Sequence, residues 1–260
     1  MAFHRPQKVR MFHRLRTFLG STLGKKVAMS ITGLLLVLFL IAHLAGNLLF
    51  FKDQDRSAFD HYAQMLEENP LLPLAEIGLL VLFVVHLGLA FLTTRQNREA
   101  RATRYRVSQA LGKRTLGSST MLITGILVLA FVVVHLLDFR FKERAPDGLG
   151  AMLERRLSEP IGAGIYLLGV IALGIHLSHA VRSALRTLGA DHPRFNELLQ
   201  RGALTLAGVL FLGFAAFPLV VVGSRLGSTL ASSSADEGAP AAPADPGLAP
   251  LPVSADGQGH

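Results

Sequence analysis

The fold class that the sequence predicts is all-α and integral to a membrane: five transmembrane helices, the first four forming a pseudo-two-fold bundle. Three observations carry this. Half of the 260 residues are hydrophobic and only 17% are charged, where a soluble domain carries about 25%; mean hydropathy is +0.42. The apolar residues are gathered into five stretches, each long enough to cross a bilayer, which takes roughly 20 residues of helix. Two of these stretches also repeat the pattern of two others.

The elements follow in order. Residues 1–26 form a basic leader with seven Lys/Arg and no acid; no small-residue cleavage site follows the apolar run, so no cleaved signal peptide is expected. The five spans are Val27 to Phe51, Leu71 to Thr94, Ser118 to Leu137, Ile161 to Ala180 and Ala203 to Gly223. None holds an Arg or Lys, and Glu76 is the one carboxylate within them. Residues 27–225 are therefore the expected membrane domain. From residue 226 the chain turns to Ala, Pro, Ser and Gly, a composition that cannot bury an apolar face, and 226–260 is expected to be disordered.

Charge sets the expected orientation. The leader, the second-to-third loop and the fourth-to-fifth loop carry 18 Lys/Arg against 3 Asp/Glu; the opposite side carries 8 against 14. By the positive-inside rule the N-terminus is cytoplasmic and the C-terminus outside. The net charge of +8 thus reads as orientation, and no nucleic acid is expected as a partner. The absence of cysteine excludes disulfides, iron–sulfur ligation, thiolate nucleophiles and covalent haem attachment.

An internal repeat is present. Met29-Ser30-Ile31-Thr32-Gly33, nine residues and His43-Leu44 match Met121-Leu122-Ile123-Thr124-Gly125, nine residues and His135-Leu136. Pro70 precedes His86 by 16 residues, and Pro160 precedes His176 by 16. Two helix pairs in the same orientation imply a pseudo-two-fold axis along the membrane normal. Each of the first four spans carries its histidine late. Because successive spans run in opposite directions, His43 and His135 fall near the outer face, His86 and His176 near the cytoplasmic face.

Two facing imidazoles at each of two depths are what two b-type haems need, one His on each axial side of iron. Ionisable groups within a bilayer are costly and default to function. The expected iron ligands are His43 and His135 for the outer haem, and His86 and His176 for the cytoplasmic-side haem. Gly33 and Gly125 lie ten residues before His43 and His135, about 15 Å along a helix, at the depth of the other haem, where a missing side chain admits a macrocycle. Arg182, Lys25 and Lys26 are candidates for the inner propionates, against the plain reading of a topology signal. Ser30, Thr32 and Asn47 can each bond a propionate or the helix's own backbone. His179 follows His176 by three and reads as a neighbour of the site. His61 and Tyr62 read as an interfacial anchor or part of a quinone mouth.

Glu76 precedes His86 by ten residues and so shares the outer level. As a buried carboxyl it would exchange protons with a quinone; the alternative is a carboxylate at the interface. Tyr166 is its counterpart in the repeat and a candidate hydrogen-bond partner of the same quinone.

The segments KKVAMSITGLLLVLFLIAHLAGNLLFF, AFDHYAQML and GIHLSHAVRSALRTLG resemble the five-span, di-haem cytochrome b subunit (b558-type membrane anchor) of succinate dehydrogenases and fumarate reductases. The resemblance covers about residues 18 to 223. It implies a bacterial cytoplasmic membrane and two haem b. It also implies a flavoprotein subunit and an iron–sulfur subunit on the cytoplasmic face, and electrons passing to a quinone, menaquinone by expectation. The family's ligands fall on His43, His86, His135 and His176. In the fumarate-reductase branch a Glu stands two residues before the fourth-span ligand; here that position is Gly174, so a proton route through it is not expected. No succinate chemistry belongs to this chain, which has no flavin fingerprint. The alternatives are a b-type subunit of a hydrogenase or formate dehydrogenase, and a transporter whose histidines relay protons.

Overall fold

A computed structural model describes residues 14, 16–99 and 116–237. Among the described residues all regular structure is helical. In order, the elements are α1 (Thr22–Asn47) with a 3-10 turn (Leu48–Phe51), α2 (Ser57–Glu67), α3 (Leu72–Glu99), α4 (Leu116–Phe139), α5 (Gly148–Ser158), α6 (Pro160–Thr187) and α7 (Asn196–Glu237). Among the described residues five helices are long and apolar enough to cross a membrane: Thr22–Phe51, Leu72–Glu99, Thr120–Phe139, Pro160–Thr187 and Asn196–Ser232. They contain nearly all of the five expected stretches and mostly run beyond them, because a helix continues past the apolar run until a cap or a turn stops it. Ser21 caps α1 by accepting from the Gly24 N–H at 3.0 Å, and Pro160 opens α6 at the position where a missing N–H costs nothing.

The repeat is visible as packing. α1 lies along α3, α4 lies along α6, and α1 against α6 joins the two pairs. The connecting helices belong to the repeat as well. α2 and α5 have 11 residues each and begin 91 positions apart, midway between the 92 and 90 of the spans they join. Both had the look of loops in the sequence.

α2 and α5 pack together beyond the ends of the spans. The Gly150 N–H donates to Asp60 Oδ1 at 2.8 Å, Arg56 donates to Glu154 at 2.6 Å, and Arg144 pairs with Glu67. Arg56 has a left-handed backbone (φ 64°) and also donates to the Phe50 carbonyl at 3.0 Å, its guanidinium 4.1 Å from the centre of the Phe50 ring. Gly148 has φ 94°, and a side chain there would run into the Asp60 carboxylate. At Gly150 a Cβ would stand 2.6 Å from the Arg56 Cβ. The two helices approach this closely only because glycine occupies both positions.

The core lies between α1, α5, α6 and α7. Phe50, Leu157 and Leu210 are fully buried, with Leu44, Leu177 and Phe217 around them. α7 closes on α1 where Gly213 leaves room for Leu44. Inside α7, Pro218 removes one backbone donor and disfavours a straight path.

The chain divides into two units, 1–222 and 223–260. In the second, helix is present through Glu237. Disorder was expected from 226; helix is present there, with no proline between Pro218 and Glu237 to interrupt it. Residues 238–260 lie outside the described residues. So do 1–13 of the basic leader and most of the loop from Arg95 to Arg114; α3 itself continues through Glu99.

Candidate functional site

α1 and α4 present His43 and His135 to one another. The ring centres are 5.9 Å apart and the planes nearly perpendicular, at 86°. Aromatic rings surround them. Phe39 stacks on His43 at 5.2 Å, and Phe131 stands 6.0 Å from His135. These two phenylalanines are the same position of the repeat, four residues before each histidine and therefore on the same helix face. The sequence reading missed them; the 92-residue offset was the signal, diluted among 16 Phe. Phe214 from α7 and Phe139 complete the setting. The His135 Nδ1 is buried with no hydrogen-bond partner.

Tyr166 lies at this level too. It is buried, 6.1 Å from the His135 ring, and its hydroxyl donates to Asp138 Oδ2 at 3.1 Å. Arg156 donates to the same oxygen at 2.7 Å, and that bond raises the Arg156 guanidinium further above its ordinary range. α6 and α4 come together here because Gly169 has no side chain: a Cβ would overlap the Phe131 ring.

Glu76 is neither isolated nor buried. Its side chain is 36% exposed, and Arg140 grips both of its oxygens, at 2.7 and 2.9 Å. Arg140 stands 64 residues away, just past the end of α4, and sequence reasoning had no reason to pair them. The ion pair borders a cavity of about 330 Å³ that Glu67, Asn69, Pro70 and Leu72 also line. His61 lines a neighbouring cavity on α2, whereas Tyr62 lies over Gly46 of α1, where a Cβ would stand 2.5 Å from its ring.

At the other level the two repeats match in detail. Thr32 Oγ1 is 3.2 Å from His86 Nδ1, and Thr124 Oγ1 is 3.3 Å from His176 Nδ1. A Cβ on Gly33 would stand 3.1 Å from the His86 Cε1, and one on Gly125 would stand 3.6 Å from the His176 Cε1. The glycines thus sit at the depth expected of them, and what fills their missing side chains is an imidazole. His176 has His86 and His179 as electrostatic neighbours. Thr32 faces the histidine, which the sequence left open; Ser30 is buried, and Asn47 donates to the His43 carbonyl at 2.7 Å. Arg182 is half-buried on α6 and acts on Asp191. Gly174 faces Phe211 of α7, 3.1 Å from a Cβ.

At one of the two levels the spacing of the histidines fits a haem. Two imidazoles that ligate one metal from opposite sides at about 2 Å each stand about 6 Å apart, centre to centre, close to the separation of His43 and His135. The His135 Nδ1 is buried without a partner, whereas the Nδ1 atoms of His86 and His176 each lie beside a threonine hydroxyl. Among the described residues no cluster of three or more His, Asp or Glu is placed for a metal ion.

In comparison with known proteins, the chain matches no family model, no curated protein and no solved structure.

Proposed function

We propose that the chain is a membrane cytochrome b, the anchor and quinone-reactive subunit of a succinate:quinone oxidoreductase. The observation that carries this is the pairing of histidines by the repeat at two levels, His43 with His135 and His86 with His176. The segment resemblances narrow the class to the succinate dehydrogenase and fumarate reductase anchors. In this reading the four histidines hold two haem b, which supply one-electron transfer along the bundle. A flavoprotein and an iron–sulfur subunit dock on the side of the basic loops, and the chain lies in a bacterial cytoplasmic membrane with its N-terminus inside.

The protein's own residues divide the work by level. Phe39, Phe131 and Phe214 keep water from the His43 and His135 rings. Arg140 and Glu76, beside the cavity at that end, offer a quinone headgroup a cationic donor and a carboxylate that can take up a proton once the ion pair opens. Tyr166 already donates to Asp138, so toward a quinone it acts by holding that wall in place. Arg182, six residues beyond His176 on α6, would supply a charged donor to a haem propionate.

The test is the haem content of the purified protein. Two haem b per chain with low-spin, bis-imidazole spectra are expected. His43→Ala and His135→Ala remove one spectral component; His86→Ala and His176→Ala remove the other. A colourless protein would return the reading to a proton-relaying transporter, and loss of the same component in His43→Ala and His86→Ala would overturn the pairing. Co-purification with a flavoprotein separates the succinate reading from a hydrogenase or formate dehydrogenase subunit.

A further inference from the structure

The contacts at the His86 and His176 level fix more than ring position. A threonine hydroxyl has a single hydrogen. In Thr32 that hydrogen has backbone carbonyls to go to, Ala28 and Met29, both at 3.0 Å. In Thr124 the carbonyls are Thr120 at 3.0 Å and Met121 at 3.2 Å. With its hydrogen given to a carbonyl, each hydroxyl can only accept from the histidine nitrogen beside it. Each Nδ1 therefore meets an acceptor at its threonine and carries the proton, which leaves Nε2 as the lone pair.

We propose that Thr32 and Thr124 are positioning residues that lock His86 and His176 in the Nδ1–H tautomer, so that Nε2 is the nitrogen offered to iron. The iron-binding part rests on the haem reading above; the tautomer part stands on the hydrogen bonds alone. Hydrogen bonding to the outer nitrogen fixes a ligand's tautomer and raises its basicity. The arrangement is confined to one level. His135 Nδ1 has no partner, and no threonine of the repeat reaches His43, so the two levels differ in how firmly their ligands are held.

The experiment uses the full chain in detergent, expressed without haem and with nitrogen-15 in its histidine rings. The His86 and His176 signals are assigned by their loss in His86→Gln and His176→Gln. The expected wild-type spectrum has both rings as single Nδ1–H tautomers. Thr32→Val keeps the shape and removes the hydroxyl; it is expected to give His86 mixed tautomers and leave His176 unchanged. Thr32→Ser is expected to restore the single form. Haem titration of the same samples is expected to show roughly 10- to 100-fold weaker binding at the His86 level in Thr32→Val, with the other level unaffected. An Nε2–H tautomer at His86 in the wild type, or a Thr32→Val protein identical to wild type in both measurements, overturns the proposal. If the wild type takes up no haem, the haem reading and the positioning role fall together, while the nitrogen spectra still decide the tautomer lock.

Discussion

Among single residues, Glu76 shows how partner identity changes a reading. From the sequence it is a lone carboxylate in an apolar stretch, and desolvation alone would keep such a group neutral. In the structure Arg140 holds it with two charge-assisted hydrogen bonds, and the residue borders a cavity. The consequence is a different prediction for Glu76→Gln. Arg140 keeps a hydrogen-bond acceptor at the amide oxygen but loses the charge, so under the proposed function haem content is expected to stay unchanged while proton exchange stops. Quinone reduction is expected to fall by about 10²- to 10⁴-fold, the span of a general acid–base contribution, with dye reduction by the docked soluble subunits unchanged. Unchanged quinone activity would make the ion pair a structural clasp between α3 and the end of α4. The histidines, by contrast, were legible residue by residue, because the repeat sets their spacing and the spacing sets their depth. Arg140, Asp138 and Phe39 were not: each acquires its role from a neighbour far along the chain or from symmetry, and a single residue type at one position carries neither.

Among the helices, the five spans were readable because a bilayer demands about 20 apolar residues in succession and little else produces them. α2 and α5 were not. Each is three turns long, half polar, and stabilised by what it packs against, which is the usual condition of a short helix. Arg56 is the joint. It carries a left-handed backbone, bonds the Phe50 carbonyl, lies over the Phe50 ring and pairs with Glu154 on α5. Arg56→Ala leaves that carbonyl without its donor and keeps the strained backbone, so a loss of about 1–3 kcal/mol is expected. Arg56→Gly loses the same bonds but relaxes φ, where glycine carries no penalty, and is expected to be less damaging than alanine. Thermal unfolding in one detergent, with all three proteins side by side, checks the order wild type, glycine, alanine. Alanine matching wild type would mean that α2 and α5 are held by their apolar faces alone. The same contrast bears on the stretch after 226: composition changes there, but no proline stands between Pro218 and Glu237, and the helix runs on to Glu237.

For the whole molecule, the asymmetry of the loops is the one global property the sequence states directly, and the five spans now give it a test. With successive spans running in opposite directions, the loop after α6 is expected on the side of the basic leader, and α2 and α5, which pack together, on the other. Electrostatics of membrane insertion retain the Lys/Arg-rich loops in the cytoplasm, so α2, with its exposed His61, is expected outside and the loop bearing His192 inside. The absence of native cysteine makes the measurement clean. His61→Cys and His192→Cys disturb no buried contact, since both side chains are exposed. A membrane-impermeant maleimide added to intact cells is expected to label Cys at 61 at once, and Cys at 192 only after the membrane is opened. The reverse pattern would invert the bundle. The His86 and His176 level would then face outward, the soluble subunits would have no side on which to dock next to it, and the succinate reading would fail even with both haems in place.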